Sequence, residues 1–298
     1  MKPAIIVHGG AGRWPEHVDD AKCDVLRHAA QVGWDIMHRG GSALDAVEKS
    51  VNILEDDPLF NAGMGSTPTI DGTIELDALC IDAASYNFGA VAGVKRVANA
   101  ISLARLVMEK TDHNFIIGTG AEELAIRYGT PLIPNLALMT DSSIEFFRQR
   151  ARAKAGDTVG AVAIDAAGNI AVGTSTGGTG GKLPGRVGDV PVFGAGGYAD
   201  KDYGGASATG HGEYSLRTLI TRYAVDRITA GSDAQSAAEE AMIHIDRFFD
   251  PSLTGIIVVD KQGNIGAAHT TEKLGIGWID AQGKPQANVR GGLAHITQ

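Results

Sequence analysis

Thr158 stands at the head of an apolar run, Thr158-Val159-Gly160-Ala161-Val162-Ala163-Ile164-Asp165, directly behind Ala155-Gly156-Asp157. The ordinary reading is a β-branched residue opening a strand. The chemical reading is sharper. If the chain were cut before Thr158, one residue would carry both a hydroxyl nucleophile and its own base, the new α-amine. A free α-amine titrates at about 7.7–8.0, so no histidine is needed to take the hydroxyl proton. A second stretch, Gly173 to Asp189, concentrates glycines and hydroxyls and then presents Arg186 and Asp189 close together. That pair suits an amino-acid clamp, the guanidinium fork on a carboxylate and the aspartate on an ammonium; a local ion pair is the plainer alternative. In a third, Ala208-Thr209-Gly210-His211-Gly212-Glu213, small residues lead into a helix whose free N–H groups suit an oxyanion. His8-Gly9-Gly10 after a short strand offers N–H donors in the manner of lipase-like hydrolases, an alternative for which no elbow serine is assigned. His211 reads as an exposed loop histidine, because no second histidine has ligand spacing to it.

The elements that must carry these groups follow from pattern. The strand Ala4–Val7 precedes two helices, one with Val25, Leu26, Ala29, Val32 and Ile36 on a single face, the other opened by a Ser42/Asp45 capping box. Thr69–Ile74 around Asp71-Gly72 predicts a hairpin whose second arm runs through Cys80, with a third strand over Phe88–Val94. Helices are expected over Asn99–Lys110 and from Ser142 to about Lys154. After Thr158 the texture turns to hairpins: Val162 to Ala171 and Val258 to Gly266 share an Asp-x-x-Gly-Asn turn and are expected in one layered sheet. Helices over Gly212–Ala230 and Ser232–Phe249 separate them. Helix pairs alternating with antiparallel strands predict an α+β sandwich with helices outside stacked sheets.

Composition narrows the function. The 298 residues carry a net charge of −9 with no basic block, which argues against nucleic acid and anionic membranes as partners. Cys23 and Cys80 sit in apolar, periodic contexts and read as core residues of a reducing compartment; with no signal-peptide pattern, the expected location is cytoplasmic. Nucleotide-binding fingerprints fail: Gly63-x-Gly65 lacks its third glycine, Glu123 stands where Gly118-x-Gly120 needs one, and a phosphate loop ending at Lys182 would need glycine at Thr176 and a hydroxyl at Leu183. A nucleotide-binding module built on the glycine loops is therefore the weaker alternative.

Taken together, HGGAG at 8–12, LFNAGMG at 59–65, ELDA at 75–78, TVGAVAID at 158–165, TSTGG at 174–178, GRVGD at 185–189 and TGHGE at 209–213 resemble the plant-type asparaginases. These proteins, also called isoaspartyl (β-aspartyl) peptidases, are N-terminal nucleophile hydrolases. The resemblance implies one domain over 1–298 with a four-layer αββα sandwich, cut by its own action between Asp157 and Thr158 into an α subunit, 1–157, and a β subunit, 158–298. It makes Thr158 the nucleophile, with Thr176 hydrogen-bonded to it and Asn61 beside it. Thr209 and the Gly210 N–H would form the oxyanion hole. Arg186, Asp189 and the Gly212 backbone would hold the aspartyl end of a small-molecule or dipeptide substrate, asparagine or a β-aspartyl peptide. No cofactor is implied for catalysis. In such proteins the loop matching Leu54 to Met64 wraps a structural sodium, here through the carbonyls of Leu54, Glu55, Asp57, Phe60, Ala62 and Met64, and two αβ units form a homodimer. The chain departs from most close relatives in two places. Asp157 replaces the glycine before the nucleophile, as in the glycosylasparaginases, which keeps glycan-linked asparagine as an alternative substrate. His269 to Leu274 replaces a Thr-x-x-Met-like stretch.

Overall fold

Period-two alternation along the strands sorts the apolar residues onto opposite sheet faces, and this sorting positions the site. The structure, a computed structural model, describes residues 1–149 and 158–289. The first part contains β1 (Ala4–Gly12), α1 (Asp19–His38), α2 (Ala43–Asp56), β2 (Leu76–Asp82), β3 (Asn87–Val94), α3 (Ala100–Lys110), β4 (Phe115–Ile117), α4 (Gly118–Arg127) and α5 (Asp141–Arg148). The second contains β5 (Val159–Ile164), β6 (Ile170–Thr176), β7 (Gly197–Asp200), β8 (Gly204–Gly210), α6 (Gly212–Thr218), α7 (Ile220–Thr229), α8 (Ala234–Asp246), β9 (Thr254–Asp260), β10 (Ile265–His269), β11 (Lys273–Ile279) and β12 (Pro285–Asn288).

The strands form two sheets, ordered β12-β11-β1-β5-β6-β2-β3-β4 and β10-β9-β8-β7. All their pairings are antiparallel except that of β4 with β3. Ile5 and Val7 of β1, with Val159, Ala161 and Ala163 of β5, join a core with Leu26, Val47, Val51 and Ile101 from the helices. Their neighbours Ile6, Val162 and Ile164 turn the other way. Those residues meet Leu79, Ile81 and Val172 of the large sheet and Ile257 and Val259 of the small sheet in a second core. The far face of the small sheet, through Ala206, Ala208, Ile256 and Val258, packs on Ala224, Val225, Ala238 and Met242 of α7 and α8.

The capping box at Ser42 forms as predicted, Ser42 Oγ accepting from Asp45 N. Other expectations change. Around Asp71-Gly72 there is a tight turn closed by Thr69 N donating to Thr73 O at 2.9 Å, without paired arms; β2 instead lies between β6 and β3. Asp71 and Thr69 satisfy the turn locally, so no ladder is needed there. The α5 helix is capped by Thr140, two residues before the predicted start at Ser142, and ends at Arg148; positions 150–154 of the predicted helix lie outside the described residues. The predicted helix from Gly212 breaks into α6 and α7 at Leu219, whose φ of 48° is left-handed. The two echoing hairpins lie in different sheets, β5–β6 in the large one and β9–β10 in the small one. Their turns do share one geometry: Asp165 Oδ1 accepts from Ala167 N and Asn169 N, and Asp260 Oδ1 accepts from Gln262 N and Asn264 N. A third such turn stands at Asp280, bonded to Gln282 N and Lys284 N.

Leu79 is fully buried between the sheets. Leu79→Ala should cost about 2–5 kcal/mol in urea unfolding, whereas the exposed Ile117→Ala should fall within about 0.5 kcal/mol of the parent.

Candidate active site

The β5–β6 register sets the first contact of the site. Val159 pairs with Ser175, so one step earlier Thr158 meets Thr176, and alternation turns both side chains toward the small sheet. Thr158 Oγ1 donates to Thr176 Oγ1 at 3.3 Å, and Thr176 Oγ1 accepts from Gly178 N at 2.9 Å. On β8 the alternation sends Ala206 and Ala208 to the helices and Ser207 and Thr209 toward the large sheet. Thr209 therefore faces Thr158 across the inter-sheet space. Its Oγ1 accepts from Thr158 N at 3.2 Å and donates to Thr158 O at 3.4 Å. All three threonines are buried. Gly210 follows with φ 108°, and a Cβ there would lie 2.3 Å from Leu253 O, so only glycine fits. Asp157 lies outside the described residues.

The side chains of His8 and Ser207 complete this cluster, and the sequence alone suggested a role for neither. His8 Nδ1 lies 2.9 Å from Thr158 O and Nε2 lies 2.8 Å from Ser207 Oγ. A carbonyl only accepts, so Nδ1 carries the hydrogen and donates. Burial pushes the ring down to about 3, against the raising effect of the Thr158 bond. The ring is therefore neutral, and Nε2 accepts the Ser207 hydroxyl proton. Gly160 makes room for it, because a Cβ at that position would sit 2.4 Å from both His8 Nε2 and Ser207 Oγ. The available signal was the even-numbered alternation of β1, which places His8 on the same face as Ile6.

The spacing Gly173-Thr174-Ser175-Thr176-Gly177 is that of a G-x-S-x-G nucleophile elbow, but the structure rejects the role. Ser175 lies within β6 rather than on a strand-to-helix turn, and its hydroxyl donates to Glu55 Oε1 at 2.6 Å on the helix side. The lipase-like alternative has no serine to use.

Asn61 is fully engaged with loops. Nδ2 donates to Gly178 O at 2.7 Å, Oδ1 accepts from Thr67 N at 2.8 Å, and the Asn61 carbonyl accepts from Gly177 N at 2.9 Å. It braces the turn whose Gly178 N–H bonds Thr176. Also behind Thr176 is a buried charge cluster that sequence reading left without a role. Asp77 pairs with Thr176 in register, Lys182 Nζ stands 3.9 Å from Asp77 Oδ2 and donates to Glu75 O at 3.0 Å. Burial pushes the Asp77 carboxyl up and the Lys182 amine down.

Arg186 and Asp189 converge on Gly212. A Cβ on Gly212 would lie 2.7 Å from Asp189 Oδ1 and 2.9 Å from Arg186 Nη2. The ion pair that Arg186 makes is with Glu213, Nε to Oε1 at 2.9 Å and Nη2 to Oε2 at 2.8 Å. Asp189 is buried, and desolvation raises its carboxyl to about 6 against the opposing charge of Arg186. His211 is half-buried and stacked on Tyr214 at 3.8 Å, so it is not the exposed loop residue expected. Arg186, Lys182, Leu183, His211, Glu213 and Tyr214 line a cleft of about 630 Å³. The divergent 269–274 stretch ties down the chain elsewhere: Thr270 Oγ1 meets Ser252 Oγ at 2.8 Å, and Lys273 pairs with Asp19 at 2.9 Å.

In the predicted cation loop, Leu54, Glu55, Phe60 and Ala62 are buried and Met64 is exposed. Asp57 Oδ1 accepts from Leu59 N at 2.9 Å, and Glu55 O accepts from Met64 N at 2.7 Å. Carbonyl oxygens crowd the two glycines there. A Cβ on Gly63 would be 2.4 Å from Glu55 O, and one on Gly65 would be 2.7 and 2.8 Å from Pro58 O and Phe60 O. Among the described residues no group of three or more His, Cys, Asp or Glu side chains is placed to hold a metal. None of the described helices is long and apolar enough to cross a membrane.

Three threonines joined by hydrogen bonds, with a carboxylate and a guanidinium converging on Gly212 three residues after Thr209, are the equipment of an amidohydrolase acting on an amino-acid side chain. The chain belongs to the asparaginase family, whose profile matches residues 1–289. It is 40% identical over 304 residues to a Danio rerio protein named isoaspartyl peptidase/L-asparaginase, an alignment spanning 99% of this chain and 96% of that one. A Homo sapiens protein of the same name is 42% identical over 92% of each chain. A Pyrococcus horikoshii protein named plant-type L-asparaginase is 41% identical over 96% of this chain and 99% of its own. These names do not favour the glycosylasparaginase alternative.

Asp189 can hold a ligand ammonium only while ionised. If Asp189 receives the ammonium of bound aspartate, affinity should weaken about tenfold per pH unit below about pH 6 and level off above it, as calorimetric titration would report.

Proposed function

We propose that the protein hydrolyses the side-chain amide of asparagine and β-aspartyl peptide bonds through a covalent ester on Thr158, after cutting itself between Asp157 and Thr158. The observation that carries this reading is the meeting of Thr158 with Thr176 from its own sheet and Thr209 from the other. Once the chain is cut, the Thr158 amine takes the hydroxyl proton and Oγ1 attacks the β-carbonyl. The Thr209 hydroxyl and the Gly210 N–H stabilise the oxyanion. The departing amine leaves with the proton, and water then releases aspartate by the same steps. Arg186 grips the α-carboxylate while Asp189 and the Gly212 backbone receive the α-ammonium, so that only the β-carbonyl reaches Thr158. In this reading Asn61 acts through Gly178 on Thr176. His8 fixes the Thr158 carbonyl, which matters most when the residue has become a chain end. The three separate cores support a four-layer αββα arrangement of the N-terminal nucleophile type.

The family resemblance reads the Leu54–Met64 loop as a structural sodium site, and main-chain carbonyls are ligands that suit a hard cation. A cation held there would stiffen the loop that carries Asn61.

Purified protein should migrate as two fragments, one beginning Thr-Val-Gly-Ala-Val, and Thr158→Ala should remain intact. The processed protein should release aspartate from asparagine and β-aspartyl dipeptides, but not from α-aspartyl dipeptides. An active, uncut chain would overturn the mechanism, and preferential turnover of N-acetylglucosaminyl-asparagine would move the substrate assignment.

Arg186→Lys keeps the charge and loses the fork. Losing half of a charge-assisted bidentate contact costs roughly 1.5–3 kcal/mol, so kcat/KM for asparagine should fall about 10–150-fold while self-cleavage proceeds. Unchanged kcat/KM in the processed variant would leave Arg186 as half of a structural ion pair.

A further inference from the structure

The guanidinium assigned above to the substrate's α-carboxylate already holds a carboxylate of the protein. Glu213 receives Nε and Nη2 of Arg186 at 2.9 and 2.8 Å, the same two-pronged contact that a ligand carboxylate would make. The plane of the fork is fixed by its surroundings. A Cβ on Gly188 would come 2.6, 3.0 and 3.1 Å from Nη1, Cζ and Nη2, so glycine lets the backbone lie against the guanidinium, and Gly212 borders Nη2 from another side. Arg186 is mostly covered, its side chain 18% exposed, whereas Glu213 is 48% exposed at the cleft. The arginine is thus the pinned partner and the glutamate the movable one. Burial alone would raise the Glu213 carboxyl, but the hydrogen bonds and charge of Arg186 outweigh it and hold the group below the usual carboxylate range. It is therefore ionised throughout the neutral range. A second partner stands close by, His211 Nδ1 at 3.6 Å from Glu213 Oε2.

We propose that Glu213 is an internal competitor for the aspartyl ligand. Its carboxylate occupies the Arg186 fork between turnovers, the substrate's α-carboxylate enters by displacing it, and its return helps expel aspartate. This inference rests on the assignment of Arg186 to the α-carboxylate. A site whose binding-competent form is only partly populated shows an apparent dissociation constant raised by that fraction, so Glu213 weakens substrate and product alike. It tunes affinity and release and touches no reacting atom.

The test uses the processed full-length protein, with Glu213→Gln, which keeps shape and removes charge, and Glu213→Ala, which empties the fork. Self-cleavage and melting temperature verify that each variant folds. A half-exposed ion pair is worth a few tenths to about 1 kcal/mol, so the inhibition constant for aspartate and the KM for asparagine should each fall about 2–5-fold. The affinity of aspartate α-amide, which lacks the α-carboxylate, should not move. If KM and the inhibition constant rise, Glu213 steadies Arg186 for the substrate, and the proposal is overturned. Unchanged constants, or an equal gain for aspartate and its α-amide, overturn it as well. Failure of the underlying assignment looks different: the parent protein would then show equal affinity for aspartate and its α-amide before any substitution is made.

Discussion

Thr158 is held where two sheets face one another, and the rest of the site depends on that junction. One buried residue has its backbone N–H, carbonyl and hydroxyl each matched, by Thr209, by His8 with Thr209, and by Thr176. An unmatched buried polar group costs about 1–3 kcal/mol, so this set of partners is a condition for placing a polar residue between apolar sheet faces at all. The same partners fix the hydroxyl's position. His8 is the member with least freedom, because its neutral ring must donate to a carbonyl on one side and accept from Ser207 on the other. Gly160 leaves the space in which this happens.

Around that junction the charges are arranged unequally. Lys182 and Asp77 are buried behind Thr176, where low dielectric pushes each toward its neutral form and makes their mutual attraction matter more than a surface pair would. Arg186 and Glu213 stand at the cleft, where water weakens their pairing and leaves the glutamate exchangeable. Asp189 lies between these conditions, buried but facing a guanidinium, with its carboxyl at about 6. A site that binds a zwitterion needs this gradation, since groups that are too well satisfied internally would not release their partners to a ligand.

Much of this was legible in the residues. The β5 run opened by Thr158, the capping box at Ser42 and the paired Asp-x-x-Gly-Asn turns all follow from local propensity and side-chain reach, and they appear where expected. Local rules misjudged other places. The Asp71-Gly72 turn satisfies its own hydrogen bonds and so gives no information about whether its arms pair. The helix after Gly212 reads as continuous because the left-handed residue that breaks it is Leu219, not a glycine. Ser175 has the spacing of a nucleophile, yet its strand turns it to Glu55.

Residue types capable of the chemistry, and through the alternation of β1, β5, β6 and β8 the face each side chain takes, are written along the chain. Period two is a property of the strand alone. What stands opposite that face is not. Thr209 reaches Thr158 across 51 residues, His8 across 150, and Ser207 reaches His8 across 199. Glu213 takes the Arg186 fork that sequence proximity would have given to Asp189. The pairing of β1 with β5 brought His8 to Thr158, and the stacking of the small sheet on the large one, driven by apolar burial that is indifferent to these polar partners, brought Thr209 and Ser207 to them.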